Sequence, residues 1–260
     1  MIKSLLFLII ENAINMLMFL YRMASPRAFF YTTQSWLTPL GLAALFCLLM
    51  GGVWGLVFAP PDYQQGDAFR IIYVHVPAAF MSMALYSFMS FCAILVLVWR
   101  IKLAGVLLQS TAPIGACMAL LALVTGSIWG RPMWGTWWIW DARLTSEFIL
   151  LLFYAAILAV NHALAQRHAR DSLLAILTLV GLIDLPVIHF SVYWWNTLHQ
   201  GSTLSVFSKP TIALSMLYPL LLTLLGFLLF CIWSILYQAG TVLLMRERKQ
   251  RWVRHVIEGE

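Results

Sequence analysis

Six apolar stretches, each long enough to cross a bilayer and separated by short polar connections, fix the class of fold open to this chain. Crossing the hydrocarbon core takes about 20 apolar residues in a helix. The stretches at about 37–59, 71–99, 104–128, 144–165, 172–190 and 211–238 meet that length. The second and sixth are long enough to tilt or to run past the interface. Composition agrees: 62% of residues are apolar, 10% are charged and mean hydropathy is +0.88. A soluble domain carries roughly 25% charged residues, so the surface of this chain must be solvated by lipid. No polar stretch exceeds the length of a loop, which leaves no room for a separate soluble domain. The expected fold is all-α: a polytopic membrane protein of six transmembrane helices.

Lysine and arginine in the short connections set the orientation. With both termini inside, the inner segments hold Arg22, Arg27, Arg100, Lys102, Arg167, Arg170 and the five tail residues Arg246, Arg248, Lys249, Arg251 and Arg254. The outer loops hold Arg70, Arg131, Arg143 and Lys209, so the count is eleven against four with Lys3 set aside. That asymmetry predicts N-in/C-in topology. Residues 1–25 read as an N-terminal extension, an interfacial helix or a mis-assigned start, because Lys3, Glu11, Asn12 and Asn15 argue against a seventh span. Residues 26–245 form the membrane domain and 246–260 a basic cytoplasmic tail. The tail reads as an anchor on anionic lipid, not as a nucleic-acid site. Cys47, Cys92, Cys117 and Cys231 are far apart in apolar runs and read as small buried hydrophobes.

The outer loops, about 60–70, 129–143 and 191–210, concentrate the chemistry. The stretch W-G-R-P-M-W-G-T-W-W-I-W-D-A-R-L-T runs from Trp129 to Thr145. It holds Trp129, Trp134, Trp137, Trp138 and Trp140, five of the chain's twelve tryptophans. An interfacial aromatic belt alone places one or two per helix end. If residues 134–138 are helical, Trp134, Trp137 and Trp138 share one face and make a flat apolar platform suited to a planar macrocycle. Arg131 and Arg143 flank it and could hold carboxylates, while headgroup contact is the plainer role. Asp141 reads as the N-cap of the fourth span. Glu147 lies about two turns into that span, and Arg143 at i−4 is its expected partner.

Three of the six histidines fall on the outer side. His75, in Y-V-H-V-P, begins the second span, and His189, in V-I-H-F, ends the fifth. These spans run in opposite directions, so both imidazoles reach a similar depth, where they could ligate one haem iron from opposite sides. His199, in T-L-H-Q, is a plain loop residue or a contact to cofactor or partner. Asp184 is an intramembrane carboxylate for packing or proton handling, and Pro186 is expected to kink the helix. His162, His168 and His255 fall on the inner half or tail and read as solvated. No C-x-x-C-H occurs, so any haem is held non-covalently.

At these residues a family resemblance becomes specific. W-G-T-W-W-I-W-D-A-R-L-T resembles the WWD motif of the haem-handling superfamily. Y-V-H-V-P-A-A, A-P-I-G-A and W-W-N-T-L-H-Q-G-S are similar to the further landmarks of its CcmC family, over about residues 26–250. The resemblance implies six spans in the bacterial inner (cytoplasmic) membrane with the WWD loop on the periplasmic side. It implies haem b gripped by His75 and His189 as axial ligands. It implies that the tryptophan loop presents haem to a periplasmic CcmE-type haem chaperone for c-type cytochrome biogenesis. It further implies association with an ABC-type ATPase, that ATPase's membrane subunit and a small single-span subunit. The chain itself has no G-x-x-x-x-G-K-[ST] to supply that ATPase, and bond formation would occur on the chaperone, so no enzyme is expected here. Two alternatives stand beside this reading: a haem pore within an ABC-type complex, and a b-type cytochrome passing electrons to quinone. The second wants haem ligands on both sides of the membrane, and the inner halves offer no histidine pair.

The topology is open to a direct test. With the native cysteines replaced by alanine, Gln64→Cys should react with a membrane-impermeant maleimide added outside. Lys249→Cys should react only after the membrane is opened, and the reverse pattern would refute the assignment.

Overall fold

The computed structural model describes residues 25–164, 166–195, 197–199 and 212–258; the N-terminal extension up to residue 24, Lys209 and most of the third outer loop lie outside them. All six expected spans are present, at 26–58, 67–99, 102–134, 142–163, 169–194 and 214–246. Four of them hold 33 residues and a fifth holds 26, longer than hydropathy marks, because a helix continues until a cap stops it, not where apolar residues end.

The first span, α1, runs Pro26–Val53. Ser25 caps it by accepting from the Ala28 amide at 3.4 Å, and Pro26 fills the first turn where no donor is needed. One π turn, Trp54–Phe58, extends it. A 3-10 turn, Asp67–Ile71, leads into α2, Ile72–Trp99. Arg100 leaves α2 in the left-handed region at φ 54°, and α3 begins two residues on as Lys102–Trp134. Then follow α4, Ala142–Ala163, and a fifth span in two pieces, α5, Arg167–Gly181, and α6, Asp184–Trp194. The last span is α7, Leu214–Arg246, and a short α8, Arg251–Glu258, closes the described chain.

The break in the fifth span falls where Pro186 predicts it. Proline has no amide to bond the Leu182 carbonyl four residues back. That carbonyl accepts from the Leu185 amide at 3.2 Å instead, and the helix restarts at Asp184.

The central pair is α2 and α3, with α4, α5 and α7 packed against them, α6 on α4, and α1 along α7. Tyr86, Met89, Leu108, Ala112, Ala119, Leu150, Tyr154 and Ile188 lie in the core these helices share. In lipid, helices associate by close packing and not by hydrophobic drive. Gly115 shows the consequence: a Cβ there would come within 2.3 Å of the Tyr154 ring. Cys47, Cys92 and Cys231 are buried as expected, but Cys117 is exposed, in an apolar groove between α3 and α7 beside Trp233 and Tyr237.

The basic tail divides into two roles. Arg246 is not a lipid anchor: it donates to both Asp171 oxygens at 2.7 and 2.8 Å and to Gln109 Oε1 at 2.7 Å. This fork ties the ends of α7, α5 and α3 together. Beyond it α8 folds back, burying Trp252 and Val253 against Phe29 and Phe30 of α1 and leaving Arg251, Arg254 and His255 exposed. His162 is also exposed, and the His168 side chain lies outside the described residues.

Breaking a mostly buried ion pair strands the remaining charge, at a cost of about 3 kcal/mol. Arg246→Ala should therefore lower the thermal midpoint of the solubilised protein, and Arg246→Lys should recover only part because an ammonium cannot fork. An unchanged midpoint would show that the clamp contributes nothing.

Candidate functional site

His75 sits one turn into α2 and is held by α3. Its Nδ1 is 3.1 Å from the Ala122 carbonyl and 3.1 Å from Thr125 Oγ1. A carbonyl only accepts, so Nδ1 carries the ring hydrogen and Nε2 is left with a bare lone pair. Thr125 donates its own hydrogen to the Leu121 carbonyl at 2.6 Å, which orients its oxygen to accept from His75. A backbone-anchored Nδ1 with an unprotonated Nε2 is the usual preparation of a metal-binding imidazole. Gly126 makes room for the ring: a Cβ there would lie 3.1 Å from His75 Cε1.

Two rings meet this histidine, and a further ring backs each of them. Trp129 lies edge-on with centroids 5.6 Å apart, and Phe69 backs Trp129 at 6.2 Å. Trp129 is fixed by donating from Nε1 to Gln65 Oε1 at 2.9 Å. His199 lies 6.2 Å from His75 with its plane tilted by 34°, and Trp134 lies 6.2 Å from His199. The structure thus brings His75, Trp129, Trp134 and His199 together.

His189 is placed differently. On α6 the buried residues Leu185, Ile188 and Ser191 form the face that meets the bundle. His189 follows Ile188 by about 100° of helical turn and is exposed, its ring against Phe190 with centroids 4.8 Å apart. Among the described residues no hydrogen bond or ring contact joins it to His75. The stack of Phe190 on Trp194, at 5.2 Å, continues this outward face.

The tryptophan segment is not one helical platform. The third span runs on through Trp129, Gly130 and Arg131 to Trp134, then stops at Gly135, whose φ of 76° suits only a residue without a Cβ. Arg131 covers this end by donating to the Gly135 carbonyl, a task that sequence reasoning did not assign. Residues 136–141 are non-helical up to the Asp141 cap, so Trp134 turns to His199 while Trp137, Trp138 and Trp140 go elsewhere. Trp138 meets Trp140 at 5.3 Å and Phe148 at 6.1 Å. With Trp137 they form one wall of an apolar groove of about 590 Å³ whose other wall is Leu120, Val124 and Ile128 of α3. Trp137 and Trp140 are 57% and 73% exposed, so the apolar edge of this groove stays open.

Polar groups close the picture. Asp141 caps α4 as expected, Oδ1 accepting from the Leu144 amide at 2.8 Å, while its Oδ2 is buried without a hydrogen-bond partner. The Trp138 indole N–H is likewise buried and unpartnered. Arg143 is in electrostatic range of His75, Asp141, Glu147 and Tyr193. It does not pair with Glu147 as its spacing suggested. Glu147 faces α2 and is bonded to Ser82 Oγ at 2.7 Å, because the neighbouring helix is nearer than the next turn of its own.

The donor set fits an iron porphyrin: an imidazole with a bare nitrogen, a second imidazole beside it, indole rings around them and an arginine in range. Comparison with known proteins points the same way. The family described as CcmC, "Heme exporter protein C", matches residues 19–254. "Heme exporter protein C" of Haemophilus influenzae is 50% identical over 219 residues, 84% of this chain and 89% of that protein. The protein of the same name from Escherichia coli K12 is 46% identical over 228 residues, 87% and 92% of the two chains. A "Putative cytochrome c biosynthesis ccmC-like mitochondrial protein" of Marchantia polymorpha is 46% identical over 169 residues, 65% and 71% of the two. With six helices fit to cross a membrane and a family match over nearly its whole length, this chain is a multi-pass inner-membrane protein of the CcmC, heme exporter protein C, family.

Proposed function

We propose that this protein holds one haem b, non-covalently, at the periplasmic end of its helix bundle and delivers it to a periplasmic haem chaperone for c-type cytochrome assembly. The observation that carries the reading is His75, anchored through Nδ1 on α3, with the His199 ring close beside it. His75 and His199 are separated by 6.2 Å. His199, the imidazole near His75, would hold the iron with it, whereas His189, expected from the sequence, lies exposed on the outward face of α6.

The remaining parts divide by chemistry. Trp129 and Trp134 border the imidazoles. Trp137, Trp138 and Trp140 line the apolar groove, which offers the macrocycle's edge a surface open to a partner. Arg143, with Arg131 at the rim, would hold the propionates. Asp141 keeps the loop seated on α4 and presents one oxygen without a partner. The protein supplies binding and orientation, and the covalent bond forms on the chaperone. The names carried by the relatives support a role in haem handling. An ABC-type ATPase, its membrane subunit and a small single-span subunit complete the proposed assembly. Six closely packed spans, with few polar side chains between them, favour delivery at one face over a pore through the chain alone.

Optical spectra decide the ligands. Protein isolated from haem-replete cells should show a low-spin bis-imidazole spectrum. His75→Ala should abolish it and His199→Ala should convert it to a five-coordinate form, while His189→Ala leaves it intact. Loss in His189→Ala with retention in His199→Ala would reverse the ligand choice, and a colourless wild type would end the haem reading.

The groove is tested by transfer. Trp137→Ala combined with Trp138→Ala should keep haem on His75 but reduce the yield of haem-loaded chaperone. Equal yields would remove the groove from the delivery step.

A further inference from the structure

Below the site, inside the bundle, lies a polar group that the haem reading does not use. Glu147 is buried at 7% exposure, and among the described residues neither it nor Asp184 forms an ion pair. Its Oε1 meets Ser82 Oγ at 2.7 Å, and the same hydroxyl lies 2.8 Å from the Ala79 carbonyl. A serine has one hydrogen. When that hydrogen goes to Ala79, whose carbonyl can only accept, the contact to Glu147 needs a hydrogen from the glutamic acid. A distance of 2.7 Å is usual for such a neutral O–H···O bond. An isolated charge at this depth is costly, whereas a neutral acid bonded to a hydroxyl is not.

The surroundings extend this contact into a site. Ser82 is fixed from behind by Tyr154, whose hydroxyl donates to the Ser82 carbonyl at 2.8 Å. Tyr86 packs edge-on to Tyr154 at 5.0 Å and is fully buried, yet its hydroxyl has no hydrogen-bond partner. That hydroxyl points to the break in the fifth span, since a Cβ on Gly181 would fall 2.0 Å from Tyr86 Oη. Asp184 begins the helix after the break, and its Oδ2 is also buried and unpartnered. Asp184 is in electrostatic range of both Tyr86 and Glu147. The other titratable or charged groups facing the cluster are Arg143 and Tyr154 on α4 and Cys231 on α7.

We propose that Glu147 carries an exchangeable proton inside the membrane, hydrogen-bonded to Ser82, and that Asp184, reached past the Tyr86 hydroxyl at the break in the fifth span, is the group through which this proton exchanges. The exchange conserves charge and atoms: Asp184 takes up one proton for each that Glu147 gives up. The site lies seven residues, two helical turns, beyond His75 on the same face of α2. It does not require haem to be bound.

Infrared spectroscopy of the full-length protein in lipid nanodiscs at neutral pH tests this. The wild type should show the C=O stretch of a protonated carboxylic acid, and isotopically labelled glutamate should move that band without any mutation. Glu147→Gln should remove it. On transfer to heavy water the band should shift, and it should do so more slowly in Asp184→Asn and in Tyr86→Phe. A wild type without the band, a band unmoved by labelled glutamate, or unaltered exchange in both variants would overturn the proposal. None of these measurements involves haem, so their failure is separate from failure of the haem reading.

Discussion

Every feature of this protein answers to one constraint: inside a bilayer no water is available to bond a stray backbone N–H or C=O. The chain meets it with helices that continue well past their apolar stretches, to 33 residues in four of the six spans. Irregular backbone is then confined to a few places, and each has a chemical stop. Gly135 ends α3, Asp141 starts α4, and Pro186 opens the fifth span. The candidate site lies among these stops because only there are side chains released from regular packing.

Within the bundle, hydrogen bonds between helices do what surface charges cannot. The Arg246 fork holds α3, α5 and α7 at one end, and the His75 contact to Ala122 holds α2 to α3 at the other. Both use a backbone or carboxylate acceptor largely shielded from water, so each fixes geometry as well as adding stability. For His75 that rigidity has a chemical consequence, since the anchored nitrogen decides which nitrogen stays free. The tryptophans divide along the same line. Two border the histidines, and three line an open groove, so the tryptophans fall on two separate surfaces on either side of the helix end at Gly135.

Much of this was legible in the chain. Six spans, the Asp141 cap and the Pro186 break all follow from local signals, namely apolar run length, a capping residue and a missing amide. Other expectations failed where the deciding contact came from another helix. Glu147 found Ser82 of α2 rather than Arg143 of its own helix. Arg246 looked like a lipid anchor until Asp171, 75 residues earlier, came beside it. The tryptophans looked like one platform because helical spacing was assumed across Gly135, where the helix ends.

The second imidazole shows the limit most clearly. Depth along a span can be counted from sequence, and by that count His189 matched His75. The direction in which a side chain points around its helix depends on which face packs, and Leu185, Ile188 and Ser191 took the inward face of α6. His199 offers no periodicity to read, since it belongs to a connection whose path only packing sets. The sequence by itself thus determined that the chain is a six-span helical bundle, because apolar runs of this length satisfy their backbone in lipid as helices. Tertiary structure decided which side chains meet, because rotation about a helix axis and the path of a loop are set by neighbours far away in the chain.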